Sequence, residues 1–206
     1  KVSQLTRLLN SADILRWNID KHYLADVAAC GVRIVPTQFL ARANAVNLRL
    51  LMQQNNWQQA IIKPVISGGA RLTFRVDPKN VDEINQQLNQ CLHNEDMMLQ
   101  PFIESVLSNG ELSLIVIDGQ CTHAVRKVPK DGDFRVQDDH GGVVMGHNAS
   151  EQERAFAEQA VAACPQAPLY ARVDVVRDHN GDLCLMELEL IEPELFLRFF
   201  TPAAQR

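Results

Sequence analysis

Leu169-Tyr-Ala-Arg-Val-Asp-Val-Val-Arg177, the turn Asp178-His-Asn-Gly-Asp182 and Leu183-Cys-Leu-Met-Glu-Leu-Glu-Leu190 decide the reading of this chain. Both apolar runs alternate, and in a strand side chains two apart share a face. Arg172 and Asp174 therefore point one way on the first strand, and Glu187 and Glu189 point one way on the second. Asn180-Gly181 is a strong hairpin signal, because that dipeptide tolerates the positive φ of tight hairpin turns. Folding the runs together would bring three carboxylates and one guanidinium onto one wall of a sheet. Crowded carboxylates repel unless a cation neutralises them, and hard oxygen donors on neighbouring strands suit Mg²⁺ or Mn²⁺. The blander alternative is a solvated acidic face on an ordinary hairpin, which gives the arginine no role.

Composition bounds the rest. A chain of 206 residues can bury a sizeable core, as one large domain or two small lobes. With 46% hydrophobic and 22% charged residues it reads as a soluble globular protein. A net charge of −5 and the lack of any Lys/Arg block exclude a basic nucleic-acid surface. Five widely spaced cysteines (Cys30, Cys91, Cys121, Cys164, Cys184), an odd number without a CxxC pair, fit reduced thiols of a cytoplasmic protein. No apolar run is long enough to span a membrane and no signal peptide is visible, so no membrane partner is expected; a homo-oligomer is left open. The start on Lys1, without a methionine, is expected of a fragment of a longer polypeptide or of a processed terminus.

Along the chain the pattern is α/β alternation without repeats. Asn18 or Asp20 is expected to cap a helix over 21–30, stopped by Gly31. A short strand over 32–35 ends at Pro36, and 43–54 has helical periodicity. Strands are expected over 59–65 and 71–76, with Asn80 capping a helix to about residue 93. Further strands follow over 97–102, 111–117 and 121–128. The Gly- and Asp-rich stretch 129–148 reads as a candidate lid, because long loops are usually functional or disordered. Its His140 and His147 match no metal-ligand spacing and read as solvated. Ser150 and Glu153 form a capping box for a helix over 151–163.

Ile62-Lys63-Pro64-Val-Ile-Ser67-Gly68-Gly69-Ala70-Arg71 carries a second piece of chemistry. A lysine at the end of an apolar strand, followed by glycines, offers an ammonium and approachable backbone N–H groups to a phosphate chain. It is not a Walker loop, since the lysine precedes the glycines. An ordinary turn with a snorkelling lysine explains this segment equally well on its own.

The order of these pieces resembles the ATP-grasp superfamily of carboxylate–amine ligases, over nearly the whole chain. Asp20-Lys21 resembles the start of the helix whose lysine contacts nucleotide phosphates. Lys63 resembles the second phosphate lysine, with Ser67, Gly68 and Gly69 in the glycine-rich flap and Arg71 as a further phosphate contact. Met98-Leu-Gln100-Pro101-Phe102-Ile103 resembles the segment that holds adenine, and Glu111 falls where an acid takes the ribose hydroxyls. Gly132-Asp-Phe-Arg135 with Gly141-Gly142 is similar to a loop of ribosomal-protein glutamate ligases and bacterial glutathione synthetases. Arg172-Val-Asp174 and Glu187-Leu-Glu189 resemble the family's Arg-x-Asp and Glu-x-Asn, with glutamate in place of asparagine at Glu189. The ending Glu-Leu-Glu-Leu-Ile-Glu-Pro is also similar to a cycloserine-forming branch.

The resemblance implies an α+β ATP-grasp fold, two lobes with nucleotide between antiparallel sheets. Residues 1–34 would be a linker and the first phosphate-lysine helix, 35–99 the small lobe and 100–206 the large lobe with the metal-binding hairpin. The roughly twenty residues before Lys21 are too few for the family's usual N-terminal lobe, which is expected to be missing. ATP with Mg²⁺ or Mn²⁺ is the implied cofactor set, the metal held by Asp174, Glu187 and Glu189. Arg172 would stabilise acylphosphate and tetrahedral intermediates, a task for a forked, permanently charged donor. Arg135 and Lys127 would close from the lid. The implied activity is ADP-forming ligation of a small carboxylate to an amine. The alternative is a non-catalytic ATP-binding module with a regulatory or scaffolding role.

Overall fold

A computed structural model describes residues 2–130, 132–133, 136 and 141–205. They fall into two units, one of Asp20–His22 with Val35–Phe102 and the other of Lys1–Ile19, Tyr23–Ile34 and Ile103–Arg206. In chain order the first elements are α1 (Ala12–Asn18), α2 (Tyr23–Ala29), β1 (Gln38–Leu40), α3 (Leu48–Gln54), β2 (Ala60–Pro64), β3 (Phe74–Val76) and α4 (Val81–Cys91). Then follow β4 (Met97–Pro101), α5 (Ser105–Asn109), β5 (Glu111–Ile117), β6 (Gln120–Val128), β7 (Val143–His147), α6 (Glu151–Ala162), β8 (Tyr170–Arg177) and β9 (Leu183–Glu189).

The smaller unit is a four-stranded antiparallel sheet in the order β1-β4-β2-β3, with α3 and α4 packed on it. Strict alternation of burial along Ala60-Ile-Ile-Lys-Pro64 makes β2 a half-covered strand. Val81, Ile84 and Leu88 line the buried face of α4, at helical spacing, and join Leu48 and Met52 of α3 in the core. The helix expected from residue 43 begins at Leu48. Ala43 has a left-handed φ of 67°, and the Asn47 side chain caps the Leu50 N–H at 3.0 Å. Asn80 makes no side-chain cap on α4; its amide instead ties Asp77 N and Arg75 O together.

The larger unit is a five-stranded antiparallel sheet in the order β7-β6-β5-β8-β9. Its central strand β5 is buried along its whole length. On one face lies α6, opened by the expected capping box of Ser150 and Glu153. The Arg177–Glu153 pair at 2.9 Å fixes this as the face opposite Arg172 and Asp174. Where a linker was expected, the chain forms α1 and is hydrogen-bonded into the sheet, while α2 falls within the helix expected over 21–30. Buried Asn18 donates to Leu188 O at 2.8 Å and accepts from Leu190 N at 2.9 Å, satisfying the open edge of β9. Asn18 thus ends a helix instead of capping one, and Lys21 sits in the turn before α2.

The strand expected over 32–35 reduces to a single parallel bridge, Ile34 to Leu185, because the chain must leave the edge before Pro36. Short β1 and α5 were not foreseen; neither has more than five residues of pattern. Within the expected lid, Val143–His147 forms edge strand β7 on β6. No helix among the described residues is long and apolar enough to cross a membrane.

Candidate active site

The terminal hairpin forms with the register its alternation demands: Arg172 faces Glu189 and Asp174 faces Glu187. A bulge between Asp174 and Val175, with Met186 as the extra residue of β9, re-aims the strand just where the acids gather. The connection is longer than a two-residue turn. Asp178 Oδ1 accepts from Asn180 N at 2.8 Å and from Asp182 N at 3.0 Å, and Gly181 supplies a φ of +84°.

Neighbouring strands add to the same face. Ser113 pairs with Asp174, and Glu111 pairs with Lys127. The Asp118-Gly119 turn, with φ of 51° and 74°, starts the β5–β6 pairing. A bulge between Ile115 and Val116, which leaves Thr122 as the extra residue of β6, shifts the register by one so that Glu111 and Lys127 face each other. Buried Asp174 is the hub. It accepts from Arg172 Nε at 3.0 and 3.2 Å, from Arg172 Nη2 at 2.9 Å and from the Ser113 hydroxyl. Lys127 Nζ lies 3.3 Å from Asp174 Oδ2 and 2.5 Å from Glu111 Oε1. Arg172 Nη2 also donates to Glu189.

Electrostatics follow from this packing. Burial pushes the Asp174 carboxyl up, but Arg172, Lys127 and the Ser113 hydroxyl outweigh it and hold it well below the usual carboxylate range. Burial, together with repulsion from Asp174 and Glu187, outweighs Arg172 and raises Glu189 to about 7. Burial would lower Lys127, yet Asp174 and Glu111 raise it to about 12, so it stays an ammonium. Burial also raises Glu111, against the pull of Lys127. Asp174, Glu187, Glu189 and Glu111 outnumber Arg172 and Lys127, so the wall keeps an acidic surplus.

That donor set is chemically suited to a hard divalent cation: carboxylate oxygens of Asp174, Glu187 and Glu189 on one face of paired strands. Yet among the described residues no three acidic, histidine or cysteine side chains already converge as a metal cage. The guanidinium expected on the same wall is there, and Arg172 Nη2 donates to both Asp174 and Glu189.

Other expected site residues are placed as follows. Lys127 is not on a lid but in mid-sheet on β6, with its ammonium buried in the wall. Glu111 is buried and ion-paired with that lysine. Arg135 and His140 lie outside the described residues. His147 is not solvated but half-buried on β7, with Nε2 3.0 Å from Glu153 Oε2. Ser113 was missed, although it stands two residues beyond Glu111 on the same strand face. That spacing was the available signal.

In the smaller unit, Lys21 is buried, with its backbone N–H on Val65 O at 3.0 Å and its ammonium on Ser67 O at 2.8 Å. Lys63 lies on β2 opposite Met98. The flap that follows takes left-handed φ at Gly69, Ala70 and Leu72, of 60°, 56° and 48°. Arg71, expected at phosphate, forks onto Glu95 at 2.9 and 2.5 Å. The Gln100 side chain turns inward to Thr37 Oγ1 at 2.9 Å, Pro101 pairs with Ala60, and Phe102 N donates to Gln59 O at 3.0 Å. Ile103, half-buried, accepts from Val106 N at the start of α5.

Residues 28–193 match the family model of the prokaryotic glutathione synthetase ATP-grasp domain. The chain is 32% identical over 226 aligned positions to the cycloserine biosynthesis protein DcsG of Streptomyces lavendulae, with 100% of this chain and 73% of that protein covered. It is 25% identical over 179 positions to a glutathione synthetase of Thermosynechococcus vestitus, covering 84% of this chain and 52% of that protein. The crystal structure of D-cycloserine synthetase DcsG superposes with a TM-score of 0.85 at 32% identity, over 96% of this chain and 70% of that one. With the matched family domain spanning most of its length and the antiparallel sheets of that fold, this chain belongs to the ATP-grasp ligase family.

Proposed function

We propose that this chain carries the nucleotide- and metal-handling machinery of an ADP-forming ligase that activates a small carboxylate as an acylphosphate. What supports this is the Arg172, Asp174, Glu187, Glu189 wall, backed by Lys127 and Glu111. In the first step a substrate carboxylate oxygen attacks the γ-phosphorus of ATP. The bond from that phosphorus to the β-bridging oxygen breaks, and ADP leaves. An amine then attacks the acyl carbon, the bond to the phosphate oxygen breaks, and the amine gives up a proton as inorganic phosphate departs.

The protein's share is positioning and charge neutralisation. Lys21 and Lys63 serve the nucleotide phosphates, with the flap from Ser67 closing over them, and the strand end from Gln100 to Ile103 takes adenine. Asp174, Glu187 and Glu189 would hold Mg²⁺ or Mn²⁺, which would neutralise charge on the phosphates. Arg172 holds negative charge at the acyl and phosphoryl oxygens, and Lys127 fixes Asp174 in the wall from the β6 side. DcsG is named a D-cycloserine synthetase, so amino-acid-derived carboxylates, including those whose amine lies in the same molecule, are the first substrates to screen.

The test is phosphate release from ATP by the complete polypeptide across a panel of amino acids and small carboxylates, with hydroxylamine added to trap acylphosphates as hydroxamates. Substrate-dependent release that disappears in Arg172→Ala is expected. Nucleotide binding without release for any substrate would instead favour a binding module.

A further inference from the structure

Within the acidic wall Arg172 does what a bound cation would do. Its Nε and Nη2 engage both oxygens of Asp174, at 2.9 to 3.2 Å, and Nη2 also reaches Glu189. Lys127 holds Asp174 Oδ2 from the β6 side and ties Glu111 into the same network. These lone pairs belong to two of the three carboxylates suited to a divalent ion, and a lone pair given to an N–H is not available to a metal. A guanidinium and a divalent cation on the same oxygens also repel at close range, in a site where water screens them poorly.

The structure offers the guanidinium another place to go. Arg172 Cζ stands 6.0 Å from the ring of Phe196, an aromatic face that attracts a cation without offering it a metal-binding oxygen. Phe196 is buried, held at a left-handed φ of 50° and packed with Ile115, Val125 and Ala203. Arg198 lies 5.3 Å from the same ring, with its charge paired to Glu194.

We propose that Arg172 is the resting counter-ion of the acidic wall and that loading a divalent cation displaces it from Asp174 and Glu189. Metal occupancy and release of the arginine are then one event. The arginine becomes available for an acylphosphate only once the metal is in place, so the metal-free protein keeps it sequestered. This rests on the ligase reading for its consequence, but the exchange itself is a property of the nucleotide-free protein.

The experiment measures Mn²⁺ binding to nucleotide-free protein by electron paramagnetic resonance of the unbound ion, with no turnover involved. Arg172→Met should bind Mn²⁺ about tenfold more tightly than the unaltered chain, because a competitor and a repelling charge are both gone. Arg172→Lys keeps one positive charge and protects the wall if the methionine variant fails to fold. It should bind Mn²⁺ more tightly than the unaltered chain, because a single ammonium cannot fork onto both carboxylates. Adding Asp174→Asn to either variant should remove the gain and locate it at the wall. Equal or weaker Mn²⁺ binding in the folded Arg172 variants, or none detected in any protein, would overturn the exchange. Failure of the ligase reading would appear elsewhere, as the absence of phosphate release from the unaltered protein whatever its Mn²⁺ affinity.

Discussion

Lys127 and Glu111 face each other across β5 and β6 at 2.5 Å, and the same ammonium reaches Asp174 on β8 at 3.3 Å. A single buried cation therefore joins three adjacent strands. Its side chain is only 7% exposed, so the pair cannot exchange its hydrogen bonds for water. Lys127→Met should destabilise the protein by about 3–5 kcal/mol, because it strands the buried Glu111 carboxylate and removes one of the two cations on Asp174, which keeps Arg172. Lys127→Met combined with Glu111→Gln should recover a substantial part of that loss. Urea unfolding of the single and double variants measures both quantities. A double variant as unstable as the single would mean that packing, and not the uncompensated charge, sets the cost.

Gly110 guards the same pair from the backbone. It closes α5 at φ +71°, and a Cβ there would collide with the main-chain carbonyl of Lys127. The carbonyl is part of the β5–β6 ladder and cannot swing aside as a flexible side chain would. Gly110→Ala combines the left-handed strain with this clash and should cost about 3 kcal/mol or more. Gly119→Ala has the same sign of φ but open space around it, so it should cost only the strain, about 1–2 kcal/mol. Comparable losses for the two would remove the clash from the explanation.

These two sites show what the sequence could and could not disclose. The pairing of Arg172 with Glu189 and of Asp174 with Glu187 was readable, since alternation on both runs fixes which side chains share a face. The capping box of α6 was readable for the same reason, as a purely local pattern. Lys127 was placed on a lid because it stands beside the Gly- and Asp-rich stretch. Its true partners come from strands brought alongside by the Asp118-Gly119 turn and by the β5–β8 register. Arg172 as counter-ion was equally hidden, since alternation gives the face but not which charges bond on it. Helix α1 was missed although Ser11 caps it through the Ile14 N–H; seven residues give too little periodicity to declare a helix.

Glu153 makes a pH prediction possible. Its Oε1 accepts from Arg177 Nη2 at 2.9 Å, while Oε2 accepts from Ser150 N at 2.9 Å and meets His147. Burial pushes the carboxyl up, but His147, the Ser150 N–H and Arg177 together bring it down to about 2, from an ordinary 4.5. A folded-state value below the unfolded one means stabilisation that is present above pH 4.5 and is lost as the pH falls toward about 2. Glu153→Gln should therefore be less stable than the unaltered chain at neutral pH, with the gap closing through that acid range. Denaturant midpoints for both proteins at a series of pH values provide the check. A gap constant with pH would assign the loss to shape and capping geometry, not to charge.

Asp174 and Glu189 should differ sharply when each is neutralised, despite lying on the same face. Asp174 is buried and holds Arg172, Lys127 and the Ser113 hydroxyl at once. Asp174→Asn removes the charge that both cations share and puts an NH₂ group where acceptors are needed, so it should cost about 3–5 kcal/mol. The Glu189 side chain is 31% exposed, accepts from Arg172 Nη2, and is raised to about 7 by burial and by the repulsion of Asp174 and Glu187. Glu189→Gln keeps an oxygen acceptor for Arg172 and relieves that repulsion, so its stability should change by less than about 1 kcal/mol. Mg²⁺-dependent turnover, in contrast, should fall in both, and less in Glu189→Gln because an amide oxygen still serves a hard cation. Thermal unfolding without metal separates the stability effects, and a Mg²⁺ titration of turnover separates the catalytic ones. If Glu189→Gln proved the more damaging in the metal-free protein, Glu189 and not Asp174 would be the anchor of Arg172, and the hub of the wall would have to be moved to the β9 side.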